Sequence, residues 1–225
     1  MKTTETFDEQ SLEVLYDQRF ASTHAYRNRV WQVLIPHFFQ AYVPEQGRIL
    51  DLGCGYGEFI NNVRAGEKWA LDLNPGTSSR LQAGIRWIQK RSTEDWGLEE
   101  GSLDLVFTSN FFEHLPRKED LVDTLNHIKR ALKPGGLLIA LGPNMNRLHG
   151  EYWDFWDHQL VLTEKSLAEL LRSKGFHEVR TERSFLPYTM VGGPQYPLIF
   201  VRLYLMFPFL WRIFGKQFLL VVRKP

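Results

Sequence analysis

A short apolar run followed at once by three closely spaced glycines constrains this chain more than any other feature. The segment ILDLGCGYGEF (49–59) is typical of a buried strand that ends in a glycine-rich turn and leads into a helix. Glycine lets the backbone approach a ligand closely, and a helix that starts there turns its free N–H groups toward that ligand. The segment therefore predicts a binding loop at the carboxyl end of a strand.

Apolar runs alternate with amphipathic stretches as far as residue 142, which predicts an α/β fold with a parallel sheet and crossover helices. One helix is predicted over Arg117–Leu132, and another from an N-cap at Thr163 to a stop at Gly175. The predicted strands are RILDLG (48–53), KWALDL (68–73), IRWIQK (85–90), LDLVFTS (103–109), LLIALG (137–142), FHEVRTERS (176–184) and QFLLVVR (217–223).

The chain of 225 residues is expected to form a single domain. Residues 1–46 are predicted to be an N-terminal helical cap, helical from 9 to 42 with an interruption at Pro36. Residues 47–225 are predicted to form the main domain, and 185–216 an aromatic insert between its last two strands. No linker rich in glycine, serine or proline indicates a second domain.

Charge and cysteine content exclude several classes. Lysine plus arginine is 27 and aspartate plus glutamate is 26, and a net charge of +1 gives no reason to expect a nucleic-acid partner. The one cysteine, Cys54, cannot form an internal disulfide, and no Cys/His cluster has zinc-like spacing, so no metal is expected. The N-terminus lacks the features of an export signal, which favours a cytoplasmic location.

The second predicted strand ends in Asp72, 21 positions after Asp51. A carboxylate there can accept hydrogen bonds from both ribose hydroxyls of a nucleoside-containing ligand. A nicotinamide dinucleotide fingerprint would place its third glycine three residues after the second, whereas Gly53, Gly55 and Gly57 are evenly spaced. The spacing thus weakens the dinucleotide interpretation without removing it.

Four ordered motifs resemble those of the class I S-adenosylmethionine-dependent methyltransferases of the ubiquinone and menaquinone type. They are ILDLGCGYGEF (49–59), ALDLNP (70–75), SLDLVFTSNFFEHL (102–115) and LKPGGLLIALGPN (132–144). The resemblance covers about residues 47–142 and extends more loosely to 184. It implies a Rossmann-like, doubly wound, seven-stranded sheet whose last strands form a reversed hairpin, and S-adenosylmethionine as the cofactor.

The resemblance also implies roles for individual residues. The three glycines would line the methionine and ribose portion, and Asp51 would orient the loop or meet the amino group. Asp72 would hold the ribose with Leu73 beside the adenine, and Asn110 would lie near the transferable methyl group. The family's adenine-binding aspartate falls on Ser92, which lacks the charge, so contact through the Thr93 backbone is the alternative. The predicted cofactor-binding residues are Asp51, Gly53, Gly55, Gly57, Asp72, Leu73, Ser92, Thr93 and Asn110.

Methylation of a hydroxyl group requires a proton acceptor beside the attacking oxygen. His158, in the aromatic loop EYWDFWDHQ (151–159), is the predicted general base, oriented by Asp157 or Asp154; the alternative is that it only bonds to backbone. Glu113 and His114 could do acid/base work or simply shape their loop.

Two further positions, Arg19 and Cys54, allow either a functional or a structural interpretation. The resemblance implies that the cap, which contains Tyr16, Arg19, Phe20 and Tyr26, closes over the cofactor. Arg19 could then contact the methionine carboxylate, or it could be a solvated surface charge. Cys54 is expected to be structural because the loop requires small residues.

The insert is long, aromatic and almost uncharged. Residues 184–211 contain one charged side chain, Arg202, and ten of the 31 aromatic residues lie between 185 and 218. Pro208 and the flanking arginines argue against a membrane-spanning helix. The segment could be a lid or wall over the substrate, a peripheral membrane contact through 198–214, or a dimer surface.

Taken together, these patterns favour a methyltransferase that acts on a small, apolar, aromatic or lipid-like acceptor, at oxygen. Two other functions stay open: a non-catalytic S-adenosylmethionine-binding module and an NAD-dependent oxidoreductase. The oligomeric state is not determined by the sequence.

Overall fold

The computed structural model describes residues 22–188 and 194–225. Within the predicted cap it contains helix α1 (His24–His37), which includes Pro36, and a 3-10 turn at Phe39–Tyr42. Residues 1–21 of the predicted cap, with Tyr16, Arg19 and Phe20, lie outside the described residues.

The core of the fold is one sheet of seven strands in the order β3-β2-β1-β4-β5-β7-β6. Strands β1 to β5 are parallel, and β7 runs antiparallel to both of its neighbours. This confirms the seven-stranded, doubly wound sheet and its reversed last hairpin. The bounds are β1 Arg48–Leu52, β2 Glu67–Leu71, β3 Ile85–Ile88, β4 Leu103–Ser109, β5 Leu132–Pro143, β6 His177–Glu182 and β7 Gln217–Arg223.

Six further helices connect and cover the strands. Thr163 caps α5 as predicted, since its hydroxyl accepts from the Ser166 amide while Ser166 reaches back to the Thr163 backbone. The bounds are α2 Glu58–Asn62, α3 Lys118–Ala131, α4 Met145–Leu148, α5 Glu164–Ser173, α6 Leu198–Met206 and α7 Pro208–Phe214, with 3-10 turns at Pro75–Arg80, Phe112–His114 and His149–Asp154.

Strand β5 is longer than predicted. It begins at Leu132, directly after α3, rather than at residue 137. Leu132 pairs with Leu103 before the register shifts at Leu105, and Gly135 takes a φ of 80° in the resulting irregularity. The segment Pro134-Gly135-Gly136 therefore lies within the strand.

The sheet buries a hydrophobic layer on each face. Helices α3 and α5 pack on one face, and α1, α6 and α7 on the other. The second layer is rich in aromatic rings: Phe59 stacks on Phe107 at 3.7 Å between centroids, and Trp31 meets both edge-on. The cap and the insert thus share one face, and a hydrogen bond from the Tyr26 hydroxyl to the Tyr196 carbonyl (3.0 Å) joins them.

The insert adopts two short helices, with Pro208 at the first turn of the second. Its aromatic side chains divide between the core and the surface, since Trp211 is buried whereas Phe209 is exposed. Among the described residues, none of the helices has the length and apolar character required to span a bilayer.

Candidate active site

The glycine loop is fixed to the end of strand β2. The Gly53 amide donates to the Leu71 carbonyl at 2.8 Å, and the Gly55 amide donates to Oδ2 of Asp72 at 2.7 Å. Gly53 and Gly57 have φ angles of 68° and 75°, which side-chain-bearing residues rarely adopt. The loop keeps this shape because backbone hydrogen bonds and positive φ angles act together.

A cavity of about 980 Å³ begins at this loop and extends beneath the insert. Five of the residues predicted from the sequence line it: Asp51, Gly53, Gly55, Asn110 and His158. The other lining residues on which the argument below relies are Arg27, Glu58, Glu113, His114, Tyr188, Phe200, Leu203, Phe207 and Phe214.

Five predicted cofactor residues do not line the cavity. Gly57 directly precedes the lining residue Glu58, and Leu73 directly follows Asp72. Asp72 acts through the glycine loop, which it holds by a hydrogen bond. The Ser92 hydroxyl lies 2.7 Å from the Thr124 hydroxyl of α3, and the Thr93 carbonyl lies 3.1 Å from Nε2 of His127. Adenine recognition by Ser92 and Thr93 gains no support from these contacts and stays a prediction.

Burial opposes the ionisation of two aspartates at the loop, of which Asp51 is buried and Asp72 is half-buried. Burial raises the pKa of Asp51 well above its usual value, and the nearby Glu58 and Asp72 carboxylates raise it further. Burial also raises the pKa of Asp72, while the backbone N–H groups of Asn74 and Gly55 oppose the shift. Both carboxyl groups would gain from a ligand that donates hydrogen bonds or carries positive charge.

Asn110 occupies a special backbone position just after β4. Its φ is 50°, and its backbone N–H donates to the Leu141 carbonyl at 2.9 Å. The side-chain nitrogen bonds to the Ser109 hydroxyl, whereas the buried Oδ1 has no hydrogen-bond partner among the residues that the structure describes. An unpartnered acceptor that lines the cavity is available to a ligand.

Glu113, His114 and His158 form a cluster at the side of the cavity. Each side chain offers one imidazole nitrogen or carboxylate oxygen that lies within 4.8 Å of those of the other two. Burial raises the pKa of Glu113 to about 7, against the charge of His114. Burial alone would lower the pKa of His114, but its hydrogen bond to Asp157 and the charge of Glu113 raise it instead.

The structure places a backbone carbonyl at Nδ1 of His158, and orientation of this ring by Asp157 or Asp154 stays a prediction. The Asp157 carboxylate lies 3.2 Å from Nδ1 of His114. The Tyr152 carbonyl lies 2.8 Å from Nδ1 of His158, and the Tyr188 hydroxyl lies 3.3 Å from its Nε2. Asp154 is exposed. A backbone carbonyl, rather than Asp154, is the hydrogen-bond partner recorded at Nδ1 of the imidazole.

Arg27 and Glu58 were not identified from the sequence as site residues. Nη2 of Arg27, in α1, lies 3.2 Å from Oε1 of Glu58, the first residue after the glycine loop, and both residues line the cavity. The pair places a cation beside the loop. The sequence predicts this role for Arg19, which lies outside the described residues. The only sequence signal was an arginine on a helix predicted to cover the site.

Comparisons with known proteins agree with this architecture. The family model described as a methyltransferase domain matches residues 23–181. YqeM of Bacillus subtilis, a protein named as a methyltransferase, is 32% identical over 113 residues, 45% of this chain and 44% of YqeM. The carboxy-S-adenosyl-L-methionine synthase of Erwinia tasmaniensis is 28% identical over 148 residues, 60% of this chain and 58% of the synthase.

A solved structure supports the fold independently. A SAM-dependent methyltransferase from Archaeoglobus fulgidus aligns with a TM-score of 0.68 at 20% identity, over 91% of this chain and 99% of that chain. The chain thus matches the archaeal structure almost end to end, but it spans less than two thirds of the length of these curated relatives.

Proposed function

Since the chain belongs to the methyltransferase domain family, we propose that it transfers the methyl group of S-adenosylmethionine to an oxygen atom of a small apolar, aromatic or lipid-like acceptor. The observation that carries the proposal is that one continuous cavity runs from the glycine loop to the aromatic insert. Such a cavity can hold donor and acceptor in line, and alignment with exclusion of water is most of what methyl transfer from a sulfonium requires.

S-adenosylmethionine is the methyl donor. Asp51, Gly53, Gly55 and Asn110 provide the polar wall at the loop end of the cavity. Asp72 already accepts from two backbone N–H groups, one on each oxygen, and each oxygen keeps a lone pair for a ribose hydroxyl. We assign the methionine carboxylate to Arg27.

The acceptor end of the cavity is apolar and aromatic. Phe200, Leu203, Phe207 and Phe214 of the insert face it, together with Tyr188. Among the described residues that line the cavity, Arg27 is the one arginine or lysine, which offers little to a polyanion such as nucleic acid. An apolar or aromatic acceptor fits this wall because its burial is favourable without charge pairing.

Segment 198–214 is also proposed to touch a membrane surface. Ile199, Met206, Phe209 and Ile213 are each more than half exposed and do not line the cavity. Exposed apolar side chains of this density are costly in water and favourable at a lipid interface. From residue 185 to 225 the sequence has basic residues and no acidic ones, which complements anionic lipid.

Transfer of a labelled methyl group from S-adenosylmethionine into a cell extract tests the proposal. The label is expected in a product that partitions into organic solvent and carries a new methyl ether or ester. Label in protein or nucleic acid would refute the acceptor class. Tight cofactor binding with no transfer to any component would favour the non-catalytic module, and preferential binding of NAD would favour an oxidoreductase.

A further inference from the structure

The cluster of Glu113, His114 and His158 unites two segments that are distant in sequence. Glu113 and His114 lie in the 3-10 turn after β4, and His158 lies in the aromatic loop 151–159, after the 3-10 turn His149–Asp154. The amides of Gln159 and Leu160 donate to the Glu113 carbonyl at 2.7 and 3.0 Å, which ties the segments together. One donor atom from each of the three side chains therefore converges within 4.8 Å.

Both imidazole rings are held by acceptors at Nδ1. The Tyr152 carbonyl, which can only accept, lies 2.8 Å from Nδ1 of His158, and the Asp157 carboxylate lies 3.2 Å from Nδ1 of His114. In the neutral rings, Nδ1 then carries the proton and Nε2 carries the lone pair. The Nε2 of His158 lies 3.3 Å from the Tyr188 hydroxyl, which an ion bound there would displace. Histidines that bind metals are typically held in this way, with the distal N–H donated to a carboxylate or carbonyl.

The Glu113 carboxylate is buried, with one oxygen that lacks a hydrogen bond among the described residues. Glu113 is only 2% exposed, and its Oε1 has no hydrogen-bond partner among residues 22–188 and 194–225. An unpaired buried carboxylate oxygen is costly, and a cation bound beside it would remove that cost.

We propose that Glu113, His114 and His158 bind one divalent first-row transition ion, such as Zn²⁺ or Mn²⁺, at the wall of the cavity. Two imidazoles and one carboxylate suit such ions better than Mg²⁺ or Ca²⁺, which prefer oxygen ligands. Metal–ligand distances of about 2.0–2.2 Å bring donors closer together than 4.8 Å, so the side chains rotate inward on binding. All three side chains line the cavity.

The ion would change the chemistry proposed above, and this part of the inference rests on the proposed function. Held by Glu113, His114 and His158, the ion would supply Lewis-acid activation that eases loss of the acceptor hydroxyl proton to water. The acceptor oxygen would then form the O–C bond as the C–S bond breaks, giving a methylated product and S-adenosylhomocysteine. His158 acts here as a ligand instead of the general base predicted from the sequence.

Cobalt binding tests the site without methyl transfer. The full chain, stripped with a chelator, is titrated with Co²⁺ and followed by its visible absorption, and then with Zn²⁺ by calorimetry. We expect one ion per chain, and at least a tenfold loss of affinity in Glu113→Gln, His114→Ala and His158→Ala. Asp157→Asn, which weakens the support of His114 without removing a proposed ligand, is expected to weaken binding about 10–100-fold.

His127→Ala is the matched control, because His127 contacts the Thr93 carbonyl outside the cluster. Circular dichroism and a thermal melt establish which variants are folded. Absence of stoichiometric binding to the folded wild type, or unchanged affinity in folded Glu113→Gln and His158→Ala, would overturn the site. Metal binding without methyl transfer to any acceptor would instead overturn the proposed function alone.

Discussion

The backbone amide of Gly55 donates a 2.7 Å hydrogen bond to Oδ2 of Asp72, so the carboxylate that ends β2 fixes the loop that follows β1. The other carboxylate oxygen accepts from the Asn74 amide at 2.9 Å. One side chain thus organises the glycine loop and presents lone pairs at the site proposed for ribose. Its removal should affect cofactor binding more than folding.

Asp72→Asn is predicted to weaken S-adenosylmethionine binding by about 10- to 100-fold, because charge-assisted hydrogen bonds contribute roughly 1.5–3 kcal/mol. Isothermal calorimetry measures the affinity, and a melt without cofactor measures stability. Asp123→Asn, at an exposed position of α3, is the control and should bind normally. Equal affinity in Asp72→Asn and wild type would contradict the ribose assignment.

Gly53→Ala is predicted to destabilise the fold severely. A Cβ at Gly53 would lie 2.4 Å from Cδ2 of Phe111, and φ is 68°. Gly84→Ala separates the two causes, since Gly84 has a φ of 89° but nothing within 4 Å of the added carbon. Gly84→Ala should cost about 1–2 kcal/mol in the free energy of unfolding. Chemical denaturation should give a clearly larger loss for Gly53→Ala; equal losses would show that the contact with Phe111 is harmless.

Asp104 is predicted to stabilise the sheet at neutral pH but not in acid. Partial burial alone would raise its pKa, but the Arg48 amide at 2.7 Å and the Lys133 ammonium at 2.8 Å together lower it. A lowered folded-state pKa gives stability that is present above the unfolded pKa of about 3.9 and lost as pH falls through the folded value. Asp104→Asn should therefore lose about 1–3 kcal/mol at pH 7. Urea denaturation at pH 7 and pH 3 should show this difference shrinking; a constant difference would contradict it.

Cys54 is predicted to be unreactive in the native protein. Burial raises the pKa of its thiol well above the usual value, and the charges of Asp72 and Asp51 raise it further. Alkylation by iodoacetamide at pH 8, followed by mass spectrometry, should be very slow in the native protein and rapid in denaturant. Rapid labelling of the folded chain would indicate an activated thiol in the loop.

The two faces of the insert are predicted to separate membrane contact from acceptor binding. Phe209→Gln with Ile213→Gln, on the outward face, should abolish sedimentation with anionic vesicles but leave transfer to a water-soluble acceptor unchanged. Phe207→Ala, whose side chain lines the cavity, should raise KM for the acceptor. Vesicles of neutral lipid are the control for charge. A stable dimer that the outward variants dissolve would identify this surface as a subunit interface instead.

The strands and the first loop were predictable because their causes are local. Alternating apolar runs fixed the positions of the strands, and three evenly spaced glycines indicated the loop that the structure contains. The early start of β5 was not predictable, because it depends on the pairing of Leu132 with Leu103 across 29 positions. The packing of the cap and the insert on the same face of the sheet was not predictable either, because neither segment contains a local pattern that indicates which face it covers.

The sequence by itself determined the strands and the glycine loop, since hydrophobic periodicity and glycine spacing act over a few residues. Its four ordered motifs indicated the family, whose model matches residues 23–181, and implied the seven-stranded sheet. Tertiary structure alone decided which side chains meet. It turned Ser92 toward Thr124, brought Arg27 to Glu58, and joined His158 to Glu113 and His114 from 44 positions away. Such contacts depend on how whole elements pack, and spacing along a chain does not encode the direction in which a buried side chain points.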